Sequence, residues 1–351
     1  MKCKIKNNIL ILHIICFFYP NNIKMDFFGT KKRKKEKRVR TKKKFQKMNC
    51  SPIVDNERIH SNSCFTQQTF MTILKKYNEK NPNNLIQTKN LKKAWKTMKN
   101  RLSCQKESCW LNQLDDPYMK RQVEQNIFAP KHPPEWKTNP NEWLSNFDIR
   151  DVAKQYEKKY KDFLFIGPTT IDFDTILPGQ GTCVLDDLCT FSLEEVIRAG
   201  KTKIGIVFNL DKHYQGGSHW VSMFIDVEKK FIFFFDSADN PIPQEIWKPT
   251  EGFPKNNGGQ QKDPLVNRIV KQGRELVKPI ELTFYNNSGV EHQQSNTECG
   301  MYSLFFVITM LTGKTPFTKG VLSTKKRRDI FLKDKIPDEV VFKYRSLYFN
   351  E

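Results

Sequence analysis

The segment from Cys299 to Leu311, CGMYSLFFVITML, constrains the fold more than any other part of the chain. Almost all of its residues are apolar, so a helix formed here would be apolar on every side, and such a helix has to be buried. The polar stretch His292–Glu298 comes directly before it. The pattern therefore predicts a loop that delivers Cys299 to the first turn of a helix in the protein core.

Cys299 is a candidate nucleophile because of that position. The first turn of a helix offers unpaired backbone N–H groups and the positive end of the helix dipole, and both favour a thiolate. Free cysteine is also among the most buried residue types, so this segment alone is equally consistent with a core cysteine. The charge of Glu298 would oppose a thiolate, and we expect its side chain to point outward.

A second stretch predicts a β-hairpin with a histidine and an aspartate at its open end. Two apolar runs, 220–227 and 231–235, flank the charged turn Glu228-Lys229-Lys230. His219 precedes the first run and Asp236 follows the second, so a hairpin makes them neighbours. An aspartate beside an imidazole fixes its tautomer and stabilises the imidazolium. His292 is the alternative base, seven residues before Cys299, but it has no aspartate placed beside it by a hairpin.

These elements together resemble the ubiquitin-like-protein (SUMO) proteases and the adenovirus proteinase, and most of all the cysteine proteinases of large cytoplasmic DNA viruses. The resemblance rests on Ser-His-Trp, then Phe-Asp-Ser, then Gln-x5-Cys-Gly-x-Tyr in this order. It implies an α+β fold with a papain-like core, in which a central mixed sheet packs against the helix that carries the nucleophile. It also implies a helical N-terminal domain and a catalytic triad of His219, Asp236 and Cys299.

The resemblance extends to residues that would bind substrate. The family's oxyanion-hole glutamine stands six residues before the cysteine, at Gln293, and the adjacent Gln294 is an alternative. Trp220 follows the histidine as in the family, and Trp143-Leu144 resembles the element that covers the channel for a diglycine tail. No metal or organic cofactor is required for this chemistry.

The implied function is that of a cysteine endopeptidase with a polypeptide substrate. The leading hypothesis is processing of viral structural polyproteins after Gly-Gly-x sites, in the virion and the host cytoplasm. The alternative is a deconjugating protease for SUMO or another ubiquitin-like modifier. The sequence does not predict an oligomeric state.

The rest of the chain suggests four regions. We expect a non-structural or disordered basic tail at 1–49, a helical domain at 50–128, a linker at 129–140 and the catalytic domain at 141–351. Prolines mark the linker, which by composition could begin as early as Asp115.

The N-terminal region carries much of the formal net charge of +21. Residues 31–44 include eleven basic residues in fourteen, which predicts a solvated tail with nucleic acid as a possible partner. The apolar run Ile9–Tyr19 resembles a signal peptide but lacks a cleavage site and is too short to span a bilayer. We therefore expect no membrane association, and Met25 is an alternative start.

The nine cysteines form no CxxC pair and have no paired histidine ligands near them. This pattern predicts reduced thiols without a zinc site, and it argues against disulfides.

Overall fold

The structure is a computed structural model that describes residues 44–249, 263–315 and 318–351. Most of the basic segment 31–44, the run Ile9–Tyr19 and Met25 lie outside the described residues. Lys44–Glu351 forms one compact unit, so the domain boundaries inside it stay predictions.

The described residues form helices on both sides of a five-stranded sheet. The helices are α1 (Gln67–Lys80), α2 (Leu91–Arg101), α3 (Pro117–Ile127), α4 (Asn146–Lys159), α5 (Asp186–Cys189), α6 (Leu193–Arg198), α7 (Leu265–Glu275), α8 (Cys299–Thr312), α9 (Thr324–Lys333), α10 (Asp338–Lys343) and α11 (Arg345–Tyr348). The strands are β1 (Phe163–Thr170), β2 (Lys203–Asn209), β3 (Trp220–Asp226), β4 (Phe231–Phe235) and β5 (Thr283–Asn286). Short 3-10 helices occur at Pro52–Val54, Pro82–Asn84, Glu107–Gln113 and Pro134–Lys137.

The sheet is mixed, and its strands follow chain order from β1 to β5. The outer pairs β1–β2 and β4–β5 are parallel, and the inner pairs β2–β3 and β3–β4 are antiparallel. The predicted hairpin is confirmed, with Ser222 opposite Phe235 near its open end. Its turn is closed by Lys230 in the left-handed region at φ 57°. The predicted α+β class is thereby confirmed.

Both faces of the sheet are buried, which explains why β3 and β4 are apolar without alternation. Phe231, Phe233 and Phe235 pack on the face that carries α4, α8 and the C-terminal helices. Ile232 and Phe234 pack on the opposite face, against α6 and α7. The sheet therefore holds α8, and Cys299 at its start, in the middle of the larger core.

Helix α8 is buried along its whole apolar length, as predicted. It approaches β2 closely at Gly205, where a Cβ would lie 2.7 Å from Val307 Cγ1 and 2.9 Å from the Phe163 ring. Any side chain at Gly205 would push the helix away from the sheet.

The N-terminal helices have a core of their own, centred on Trp110, Phe65 and Phe70. Phe45 packs against Trp110 at 6.0 Å between ring centroids, so it belongs to this core. The early linker boundary at Asp115 is wrong. Asp116 caps a helix whose first residue is Pro117, the helical position where proline is best tolerated.

The prediction of reduced thiols is wrong for six cysteines. Disulfides join Cys50–Cys64, Cys104–Cys109 and Cys183–Cys189. Short chain segments fold back on themselves and bring the paired Cα atoms to 5.1, 6.4 and 6.2 Å, within the range that a disulfide spans. Among the described residues, Cys299 is the free cysteine.

Over the same residues, no group of three or more His, Cys, Asp or Glu side chains could hold a metal ion. No described helix is long and apolar enough to cross a membrane.

Candidate active site

Cys299 is the first residue of α8 and is 2% exposed. Because it begins the helix, its backbone N–H has no acceptor within the helix. The preceding residue differs from expectation. Glu298 does not point outward but is buried, with its carboxylate 2.8 Å from Arg345 Nη2 and 3.1 Å from Nε. The arginine neutralises a charge that would otherwise lie uncompensated beside the thiol.

His219 and Asp236 meet at the open end of the hairpin, as the sequence predicted from its strands. The imidazole Nε2 lies 2.6 Å from Asp236 Oδ1. The same carboxylate accepts hydrogen bonds from the backbone N–H groups of Ala238 and Asn240 and from the Asn240 amide. Asp236 is therefore held in one orientation by several donors.

Asn287, just after β5, fixes the backbone of Asp236 from the other side. Its amide oxygen accepts from the Asp236 N–H at 3.0 Å, and its Nδ2 donates to the Asp236 carbonyl at 2.7 Å. This pair of bonds reproduces a strand ladder beyond the end of β4. The aspartate thus cannot move away from His219 without breaking buried hydrogen bonds.

The electrostatics of the pair favour an imidazolium. Burial alone would lower the pKa of His219, but the hydrogen bonds and charges of Asp236 and Cys299 outweigh it and raise that pKa to about 9. Burial likewise acts to raise the pKa of Asp236, yet the His219 bond and charge hold it below its usual range. The aspartate is therefore ionised at neutral pH, and it stabilises positive charge on the ring.

Cys299 lies close enough to His219 to help raise the pKa of its imidazole, so the structure brings all three predicted triad residues together. Since Nε2 faces Asp236, Nδ1 is the nitrogen left for the thiol. An imidazole held between a carboxylate and a thiol can accept the thiol proton and later return it. The catalytic roles of the three residues stay a prediction.

His292 lies elsewhere. It is fully buried, its Nε2 lies 3.1 Å from the Phe331 carbonyl, and its Nδ1 accepts the Ile336 N–H at 3.2 Å. Both ring nitrogens are thus engaged by the backbone, and burial lowers its pKa. This histidine ties the loop before Cys299 to the C-terminal helices.

The two candidate glutamines differ in environment. Gln293 is 6% exposed, and its side-chain oxygen accepts from Ser237 Oγ at 2.8 Å. Its Nε2 donates to the Ser295 carbonyl, which leaves a second N–H on that nitrogen. The side chain of Gln294 is exposed, and its backbone N–H bonds Asp338. Gln293 is therefore the glutamine held on the Asp236 side of the site.

Trp143 and Trp220 line one cavity of about 310 Å³. Trp220 is buried, and its Nε1 donates to the Leu144 carbonyl at 3.1 Å, whereas Trp143 is 38% exposed. Gly300 allows this approach, since a Cβ there would lie 3.3 Å from Trp220 Cδ1 and 3.2 Å from Leu144 Cβ. The glycine after the cysteine thus brings the tryptophan segments next to the nucleophile. A larger cavity, of about 500 Å³, lies between α3, α4 and the C-terminal residues, and no predicted site residue lines it.

Sequence reasoning missed Asn240, Asn287 and Arg345. None of these polar residues belongs to a sequence motif. Each contacts the site through tertiary structure, which the neighbouring sequence does not predict. The one available signal was the acidic residue Glu298 next to the candidate nucleophile, because such an acid needs a cationic partner if it is buried.

Several known proteins are similar to this chain. Residues 201–339 match the Ulp1 protease family, C-terminal catalytic domain. A protein of Acanthamoeba polyphaga mimivirus named as a thiol protease is 26% identical over 288 residues, covering 77% of this chain and 87% of that protein. An African swine fever virus protein named as a SUMO-1 cysteine protease is 24% identical over 269 residues, covering 72% of this chain and 85% of that protein.

The fold is shared with a solved viral structure. The crystal structure of an African swine fever virus protease superimposes with a TM-score of 0.52 at 19% identity, over 87% of this chain and 96% of that one. Residues 201–339 are therefore similar to a Ulp1-type catalytic domain, and the chain is a cysteine-type protease.

Proposed function

We propose that this protease cleaves polyproteins after Gly-Gly-x sites with Cys299 as nucleophile, His219 as general base and acid, and Asp236 as the residue that orients His219. The observation that carries the proposal is the 2.6 Å contact between Asp236 and His219, with Cys299 close enough to influence the imidazole and placed at the N-terminus of a buried helix. Contacts in this order are what acyl transfer by a thiol requires.

The reaction begins when the Cys299 sulfur attacks the scissile carbonyl while His219 holds the thiol proton. The oxyanion accepts hydrogen bonds from the backbone N–H of Cys299 and from the second N–H of the Gln293 amide. Each such donor is typically worth about 3 kcal/mol of barrier. His219 then protonates the departing amine, and a thioester remains. Water, deprotonated by His219, attacks the thioester and releases the acid.

The preference for glycine follows from the walls of the 310 Å³ cavity. We propose that the substrate passes as an extended peptide between Trp143 and Trp220, where a Cβ would meet an indole ring. Glycine has no Cβ and fits without displacing either tryptophan. The two residues before the scissile bond are the ones that occupy this space.

The extent of the viral similarity favours polyprotein processing. The two viral relatives align over 72% and 77% of the chain, well beyond residues 201–339. The helical region is also bonded to the catalytic core, where Gln155 Nε2 donates to the carbonyls of Gln125 and Phe128. Deconjugation of a ubiquitin-like modifier is the second candidate, and the printed name of the African swine fever virus relative supports it.

Substrate panels separate the two candidates. The wild-type protein and Cys299→Ala are incubated with Gly-Gly-x peptides, with Ala-Ala-x peptides of equal length, and with SUMO and ubiquitin precursors. Polyprotein processing predicts that the wild-type protein cleaves short Gly-Gly-x peptides efficiently and that Cys299→Ala does not cleave them. Cleavage of the precursors without cleavage of peptides would transfer the assignment to deconjugation. If no substrate in the panel is cleaved in a Cys299-dependent manner, both candidate functions are contradicted.

We also propose nucleic acid as a partner, and the virion and host cytoplasm as the sites of action. Within the described residues, α2 carries Lys92, Lys93, Lys96, Lys99 and Arg101 without any acidic residue. Together with the basic segment 31–44 this provides many cations for phosphate contacts. Salt dependence of DNA binding tests the partner.

A further inference from the structure

We propose that Arg345 is a positioning residue that fixes the Cys299 end of α8 and the Trp143 segment relative to each other. The inference rests on the proposed function, because it takes Cys299 as nucleophile and Trp143 as a wall of the substrate channel. Arg345 lies on the short C-terminal helix α11, far from both in the chain.

On the nucleophile side, Arg345 holds the two residues before Cys299. Its Nη2 and Nε bond the two carboxylate oxygens of Glu298 at 2.8 and 3.1 Å, and Nη2 also reaches the Thr297 carbonyl at 3.4 Å. Glu298 is the N-cap residue of α8. The guanidinium therefore fixes the turn that presents the thiol and the Cys299 N–H.

On the channel side, the same guanidinium holds the segment that leads to Trp143. Its Nη1 donates to the carbonyls of Pro140 and Glu142 at 3.1 and 2.8 Å. The guanidinium carbon lies 4.4 Å from the Trp136 ring centroid, and Trp136 Nε1 donates to the Glu142 carbonyl as well. The Glu142 carboxylate in turn accepts the Trp143 N–H.

Only arginine can make this set of contacts. A guanidinium has five N–H groups in a fixed plane, and these five bonds use all of them. Arg345 is 5% exposed, and its two bonds to the Glu298 carboxylate are buried. A lysine keeps the charge but offers three donors on one nitrogen, which cannot reach Glu298 and Glu142 together. Removing either member of a buried ion pair leaves the other charge uncompensated.

Removing Arg345 and removing Glu298 should affect the Cys299 thiolate in opposite directions, and an experiment can detect this difference. Arg345→Met leaves a carboxylate beside Cys299, which opposes the thiolate, whereas Glu298→Gln leaves a cation, which favours it. The other ionisable groups near this turn are Tyr302, which is influenced by Glu298 and by Asp338 and Glu339 of α10, and His219 and Asp236 at the open end of the hairpin beside Cys299. None of these groups changes in either variant, so the two substitutions should shift the pH dependence of Cys299 alkylation in opposite directions.

The primary test measures alkylation of Cys299 by iodoacetamide from pH 5 to 10, with the Cys299 peptide followed by mass spectrometry. The proposal predicts that the midpoint moves to higher pH in Arg345→Met, to lower pH in Glu298→Gln, and returns toward wild type in the double variant. Arg274→Met, which breaks an exposed ion pair with Glu281, is the matched control and should not move it. Unchanged midpoints in both single variants with folded circular dichroism would overturn the proposal.

Kinetics with a Gly-Gly-x peptide provide the second readout. Glu298→Gln leaves the bonds to Pro140 and Glu142 intact, so we expect kcat to fall several-fold with little change in KM. Arg345→Lys should lower kcat and also raise KM several-fold, because the Trp143 segment loses its donors. If Arg345→Met does not fold, Arg345→Lys and Glu298→Gln still decide the matter. Equal effects of these two variants on KM would contradict the two-sided role.

The alkylation assay needs no substrate, so it separates the two hypotheses. If wild type cleaves nothing in a Cys299-dependent manner, the proposed function fails, whatever the alkylation curves show. If wild type cleaves peptides and the curves coincide, the proposed function stands and the role of Arg345 fails.

Discussion

Replacement of Asp236 by asparagine isolates the electrostatic part of the account, because it changes a carboxylate to an amide of almost the same shape. A His219 pKa of about 9 in place of 6.5 corresponds to about 3 kcal/mol of preference for the imidazolium. Asp236 and Cys299 share this effect. With Asp236 supplying about 2 kcal/mol, its loss lowers kcat/KM by about 30-fold through charge alone.

Tautomer control adds to that loss. The amide introduced by Asp236→Asn can donate to His219 Nε2, which places the ring proton on Nδ1, the nitrogen that faces the thiol. Such a ring cannot accept the thiol proton. The decrease in kcat/KM should therefore be larger than the charge effect. The protein stays folded because Asn240 still bonds the remaining oxygen and Asn287 still holds the backbone of residue 236, although the Ala238 N–H loses its acceptor Oδ1.

The assay is the pH profile of kcat/KM for a Gly-Gly-x peptide between pH 5 and 10. The active imidazolium is lost as pH rises through the pKa of His219, so the alkaline limb of wild type should lie near pH 9. In Asp236→Asn it should move toward 6.5. Asp172→Asn is the matched control, since Asp172 lies 2.7 Å from His213 in a second His–Asp pair outside the Cys299 contacts. A variant with normal kcat/KM and an unmoved alkaline limb would refute the reasoning.

Three further predictions concern the channel, the tail and stability. Trp143→Ala should raise the ratio of kcat/KM for Ala-containing over Gly-Gly peptides even as the rate falls. Trp247→Ala, on the opposite face of the sheet, should leave that ratio unchanged. Equal ratios in the two variants would show that Trp143 does not line the channel. Deletion of residues 1–43, which stops before the packed Phe45, should weaken DNA binding and reduce its salt slope while peptide hydrolysis is spared, and an unaltered slope would place the binding elsewhere. The raised pKa of His219 contributes stability that is fully present below pH 6.5 and lost as pH rises through about 9. Over that range the free energy of unfolding of wild type, measured with urea, should fall by about 3 kcal/mol relative to His219→Gln. Parallel dependences of this free energy on pH in the two proteins would contradict the prediction.

The sequence could predict the parts of the site that depend on local periodicity. The apolar run after Cys299 allows only a buried helix, and a hairpin with a short turn must bring His219 and Asp236 together. These contacts are between residues close in the chain or joined by a strand pair. The core helix and the hairpin could therefore be predicted from the sequence alone.

The errors occur where distant segments decide the environment. Glu298 was expected to point outward because its charge would oppose a thiolate, but its partner Arg345 arrives from the last helix and neutralises it in the interior. The cysteines were expected to be reduced because they form no CxxC pair. Their pairing depends on loop geometry, which spacing alone does not give. His292, so close to Cys299 in sequence, is turned away by backbone bonds to Phe331 and Ile336.

Covalent trapping tests the central claim most directly. A peptide that ends in Gly-Gly with a vinyl sulfone in place of the scissile bond is incubated with the protein, and the labelled residue is identified by mass spectrometry. The account predicts a single adduct on Cys299 that forms much more slowly in His219→Ala and Asp236→Asn. An adduct on any other residue, or normal peptide turnover by Cys299→Ala, would contradict it.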